Sequence, residues 1–166
     1  MNTTATTPPK FKPFTRQSIV TARQWEWLTP ELQEAVQVVS HVLPFRTNAY
    51  VMDTLIDWSR VPDDPIYRLT FPHRDMLPAT EYEQLRELVL VKKDDAAIAR
   101  LVHAIRMRMN PHPAGQMTHN VPRVNEAPLK GLQHKYKETV LFFPSAGQTC
   151  LAYCTFCFRW PQFVGM

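Results

Sequence analysis

Apolar positions recur every three or four residues through much of the first two thirds of the chain, the period of an amphipathic helix. In "LTPELQEAVQVVSHVLP", Leu32, Val36, Val39 and Leu43 follow that spacing. Thr29 is placed to cap the helix, Pro30 suits its first turn and Pro44 is expected to stop it. "TNAYVMDTLIDW" predicts a second short helix, and "DWSRVPDDPIYRLTFPHRDMLP" a proline-punctuated connector. A third helix is expected from Thr80, with Glu83 completing a capping box, to about Val91. A fourth, "DDAAIARLVHAIRMRMN", has acidic residues first, Arg106 and Arg108 last, and an apolar face of Ile98, Leu101, Val102 and Ile105. That stripe reads as core packing.

The pattern then changes. "PHPAGQMTHNVPRVNEAPLKG" carries four prolines and two glycines and predicts a long linker. His112 and His119 lie in it without a third nearby ligand, as polar loop residues. "ETVLFFP" follows, an apolar run of strand length, expected to be a strand buried on both faces. The organisation expected is therefore a disordered tail over 1–15, a helical region over 16–110, a proline-rich linker over 111–133, and a strand with its following loop over 134–166. Residues just past the carboxyl end of a strand are where α/β sheets and barrels gather their ligands.

Composition narrows the function classes. With 45% hydrophobic and 20% charged residues, the chain has ordinary globular proportions and enough apolar material for a core. No apolar run approaches the roughly 20 residues that cross a bilayer, and "MNTTATTPPKFKPF" lacks the apolar stretch of a signal peptide. A cytoplasmic location without a membrane partner is the expectation. The net charge of +4 is modest, and its basic residues are scattered rather than interleaved with aromatics, so no nucleic-acid partner is indicated.

The chemistry concentrates in "CLAYCTFCFRW". Cys150, Cys154 and Cys157, the only cysteines in the chain, occupy one octet directly after the expected strand. A reducing compartment disfavours a disulfide. A structural zinc site needs a fourth ligand, and no histidine lies within fifteen residues of Cys150. Three buried, inert thiols remain an alternative, although packing gives no reason for all three to share one octet. Three thiolates at these spacings suit a [4Fe-4S] cube whose fourth iron lacks a protein ligand and is open to substrate.

The C-x3-C-x2-C spacing, with Phe156 before the last cysteine, resembles the cluster motif of the radical S-adenosylmethionine enzymes. A wider likeness covers residues 25 to 166. "LPFRTNAYVMDTLIDWSRVPDDPIYRLTFP" and "GLQHKYKETVLFFPSAGQTCLAYCTFCFRWPQF" resemble the lysine 2,3-aminomutase family. The resemblance implies an α/β fold: an N-terminal α-helical region leading into the first strand of a partial (β/α) barrel of radical SAM type, truncated here. These residues are accordingly expected to be the N-terminal fragment of a longer enzyme, inactive on their own.

The family binds S-adenosylmethionine at the open iron and uses pyridoxal 5'-phosphate to carry a migrating amino group. Carried over by position, Cys150, Cys154 and Cys157 would be the cluster ligands. Arg159 would hold the substrate carboxylate, a task suited to a guanidinium fork. Lys135 matches one of two family arginines that bind the cofactor's phosphate; Thr139 stands where the other would be. The substrate implied is an amino acid, lysine or similar, with flavodoxin or ferredoxin as electron donor and a possible oligomeric assembly. The alternatives are a radical enzyme without pyridoxal phosphate and a non-catalytic zinc-binding or interaction module.

Overall fold

The computed structural model describes residues 13–109, 119, 121–129, 131–142 and 152–154. It is a mixture of helices and small antiparallel two-stranded sheets. The last residues of the expected tail, from Pro13, are part of a strand. β1 (Pro13–Thr15) pairs antiparallel with β2 (Arg46–Asn48), setting Phe14 opposite Thr47. Phe14 packs against the core, which supplies the apolar contact that compositional reasoning about the tail overlooked.

α1 (Pro30–Val39) forms as its cap predicts: Thr29 Oγ1 accepts the Leu32 N–H at 3.4 Å, and Pro30 opens the first turn. It ends before Pro44, at Ser40. The Ser40 hydroxyl donates back to the Val36 carbonyl, and the N–H groups of His41 and Val42 return to Val38 and Val39 in tighter turns. Such i to i−3 bonds commonly close a helix end. The second expected helix appears as a short wide turn, Val51–Leu55.

The connector after it contains a helix that the prolines concealed. α2 (Pro65–Thr70) starts on Asp64, whose carboxylate accepts the N–H of Tyr67 at 2.7 Å and that of Asp57 at 3.3 Å. An Asp cap followed by Pro at the first helical position is a strong start signal. α3 (Ala79–Arg86) begins with Pro78 in the cap position and makes no side-chain cap. The expected capping box is absent because Thr80 lies inside the helix, and because Glu83 instead accepts from Arg74 at 2.7 Å. The helix continues as a wider turn, Glu87–Lys92, and ends at Lys93, which takes a left-handed conformation with φ 54°. α4 (Asp95–Met109) follows, with the Asp94 carboxylate accepting the Ala97 N–H at 2.9 Å.

α1 divides its buried face between two cores. Val36 joins Ile19, Phe45, Met52, Tyr67 and Phe71 in the first. Val38 and Val39 join Leu77, Leu85, Ile98, Val102 and Ile105 in the second. Removing each such side chain from water stabilises the fold by about 1.5–3 kcal/mol, so this two-sided helix ties both halves of the region together. An aromatic group in the first core is centred on Phe71, stacked on Tyr67 at 4.7 Å and tilted against Phe45 at 5.1 Å. Between the cores and solvent, Glu34 accepts from both the Tyr82 hydroxyl, at 3.0 Å, and Arg86, at 2.9 Å. Arg108 near the end of α4 pairs with Glu81 of α3.

The region expected as linker contains a small hairpin: β3 (Arg123–Val124) pairs with β4 (Ala127–Pro128) across Asn125 and Glu126, both at positive φ. Two such central residues are the mark of the hairpin turn that matches strand twist. β5 (Leu132–Tyr136) pairs antiparallel with β6 (Thr139–Phe142), with an irregularity between Gln133 and Tyr136. "ETVLFFP" thus supplies the strand, but not one buried on both faces: Val140 is 52% and Phe142 68% exposed. Its partner is the segment just before it, joined by a short turn, which is how adjacent antiparallel strands pair without a crossover.

Candidate functional site

Of the three cysteines, Cys154 lies among the described residues, and its thiol is exposed. Cys150, Cys157 and Arg159 lie outside them, as do Phe156 and His112. Lys135 belongs to β5, within its irregular stretch, and Thr139 opens β6 in an exposed position. His119 is exposed. Among the described residues no three metal-ligating side chains converge.

The segment that carries Cys154 rests on the helical region through the residue before it. The Tyr153 N–H donates to the Leu69 carbonyl, in α2, at 2.8 Å. Its ring packs against the second core, and its hydroxyl reaches the carbonyls of Leu43 and Pro44 at 3.4 and 3.3 Å. A phenol has one proton to donate, so at those lengths the hydroxyl shares a weak bond between two acceptors, and the backbone bond is the stronger tie. Tyr153 is half-buried while the adjacent Cys154 is exposed. The platform therefore holds the aromatic side chain and leaves the thiol outward.

The platform is the chain just past α1, where carbonyls point away from the helix and need donors. Arg106 of α4 supplies two: Nη2 donates to the His41 carbonyl and Nε to that of Val42, each at 2.9 Å. The next two carbonyls, of Leu43 and Pro44, face the Tyr153 hydroxyl. Four consecutive carbonyls are thus served by a cation from α4 and a phenol from the cysteine segment. Desolvation lowers the Arg106 pKa, yet a guanidinium remains charged throughout the physiological range. His41, at the same turn, has a buried Nε2 without a hydrogen-bond partner. Burial, aided by Arg16, lowers its pKa from 6.5 to about 4, so the ring is neutral near pH 7.

Sequence reasoning placed the cysteines but passed over Tyr153. The available signal was an aromatic residue with a polar tip between two candidate ligands, the kind of side chain that sits with one end in a core and the other on a polar group.

The donor chemistry suits a thiophilic centre. Three thiolates can come from one octet, and the one within the described residues is exposed rather than packed into a core. No helix among the described residues is long and apolar enough to cross a membrane. Compared with known proteins, the chain matches no family model, no curated protein and no solved structure.

Proposed function

We propose that this chain supplies the helical region and the cluster-binding loop of a radical S-adenosylmethionine enzyme resembling lysine 2,3-aminomutase. The observation that carries the proposal is the cysteine octet, C-x3-C-x2-C, whose middle thiol is exposed on a segment anchored to the helical region. Cys150, Cys154 and Cys157 would each give a thiolate to a [4Fe-4S] cluster. When bound, such a cluster supplies the electron that cleaves S-adenosylmethionine to a hydrogen-abstracting 5'-deoxyadenosyl radical. Arg159, two residues past the last cysteine, would bind the carboxylate of an amino-acid substrate, lysine or similar, through paired N–H donors. Lys135 would meet the phosphate of pyridoxal phosphate as a single positive charge. The (β/α) barrel, the flavodoxin or ferredoxin donor and the cytoplasmic, reducing location belong to the same proposal.

The test is turnover by the complete enzyme that carries this region together with its barrel, anaerobic, reduced and supplied with S-adenosylmethionine. Formation of 5'-deoxyadenosine that depends on all three cysteines supports the proposal. Its absence from a protein that has taken up iron and sulfide overturns it.

A further inference from the structure

Tyr153 stands between Cys150 and Cys154 in the sequence, and among the described residues it bonds to and packs on the helical region. Three parts of the residue are used: the N–H on Leu69, the ring on the second core, and the hydroxyl on Leu43 and Pro44. These acceptors belong to different elements. Leu69 lies in α2, and Leu43 and Pro44 lie in the turn that leads out of α1 towards β2. A residue held from two elements, by its backbone N–H on one and its side chain on the other, has little freedom to move, and neither has the peptide that joins it to Cys154.

We infer that Tyr153 is a positioning residue: it docks the cysteine loop on the helical region and so fixes where Cys154 presents its thiolate. This rests on the cluster proposal above. Residues that orient metal ligands without touching the metal are worth about 10–100-fold in metal affinity or activity. A ligand on an untethered loop must also lose conformational freedom as the centre forms. Here the helical region carries that cost in advance, through packing that does not involve the thiol. The helical region, which bears none of the cysteines, thereby acquires a specific part in cluster chemistry.

The test compares wild-type protein with Tyr153→Phe and Tyr153→Ala after identical anaerobic reconstitution with iron and sulfide. Far-ultraviolet circular dichroism and thermal unfolding of each establish that the helical region is folded. Should Tyr153→Ala fail to fold, Tyr153→Leu, which keeps an apolar side chain but loses the ring and hydroxyl, carries the comparison. The readouts are the rate at which a chelator strips iron, and the electron paramagnetic resonance signal of the reduced cluster with and without S-adenosylmethionine. Tyr153→Ala is expected to lose iron roughly tenfold faster and to show an altered signal. Tyr153→Phe keeps the ring and the backbone bond, and should recover most of the wild-type behaviour. Tyr153→Ala, or Tyr153→Leu in its place, matching wild type in both readouts while wild type holds its cluster overturns the inference and leaves the proposed function standing. A wild-type protein that takes up no iron overturns both; exchange of the Tyr153 amide, described below, then shows whether the dock itself exists.

Discussion

The amide of Tyr153 and the carbonyl of Leu69 form a 2.8 Å hydrogen bond that joins the cysteine segment to α2, far apart in sequence. An amide bonded in this way exchanges with solvent only when the segment lifts off. Its hydrogen exchange, read by nuclear magnetic resonance in the metal-free protein, should be at least roughly tenfold slower than that of an unstructured amide. Exchange at the unstructured rate would show that the segment does not rest there.

Helix starts give a paired prediction, because two threonines with similar sequence credentials have different roles. Thr29 caps α1, whereas Thr80 lies exposed inside α3 and caps nothing. Thr29→Ala should cost about 1 kcal/mol in urea unfolding. Thr80→Ala should stay within about 0.5 kcal/mol of wild type, as surface substitutions do. Equal losses would contradict the assignment of the caps. Asp64→Ala, which strips two backbone N–H groups of their acceptor, should cost about 1–2 kcal/mol by the same measurement.

Phe71 is completely buried and meets Tyr67, Phe45 and Trp58 within one aromatic group. Phe71→Ala removes the shared member and leaves a cavity. A loss of about 3–5 kcal/mol is expected, read as a lower urea midpoint at unchanged slope. A loss below about 1 kcal/mol would mean that the group is not packed as described.

His41 makes stability depend on pH. Its folded pKa of about 4 lies below the unfolded value of 6.5, so between them the unfolded chain holds the extra proton. The stability this residue contributes is therefore complete above pH 6.5 and is lost as pH falls towards 4. Arg16 and Arg106 oppose protonation of the ring and Asp95 favours it, with desolvation the largest effect. The wild-type urea midpoint should fall from pH 7 to pH 4.5, and His41→Asn should show a smaller fall. Identical falls would remove His41 as the cause.

How far the sequence could be read depended on whether a signal was local. α1 and α4 were legible because capping, periodicity and end charges agree along one short stretch. α2 was hidden because Pro62, Pro65 and Pro72 read as breaks, although Pro65 after Asp64 marks a start. The box of Thr80 and Glu83 failed because Arg74, outside the helix, bonds to Glu83. β6 was recognised as a strand, but its partner and exposure depend on the segment preceding it, and an apolar run alone does not reveal these. For the site, residue spacing was enough to single out the cysteines. Tyr153 escaped because its partners, Leu43, Pro44 and Leu69, are distant in sequence and are engaged through their backbone carbonyls, which leave no trace in side-chain identity.

The most direct test of the central claim is the metal content of the protein after anaerobic reconstitution, compared with Cys150→Ala, Cys154→Ala and Cys157→Ala. Iron and sulfide in equal amounts, with the absorbance of a [4Fe-4S] cluster and its loss in each variant, is the predicted result. Zinc without iron, or iron uptake indifferent to all three substitutions, would contradict it.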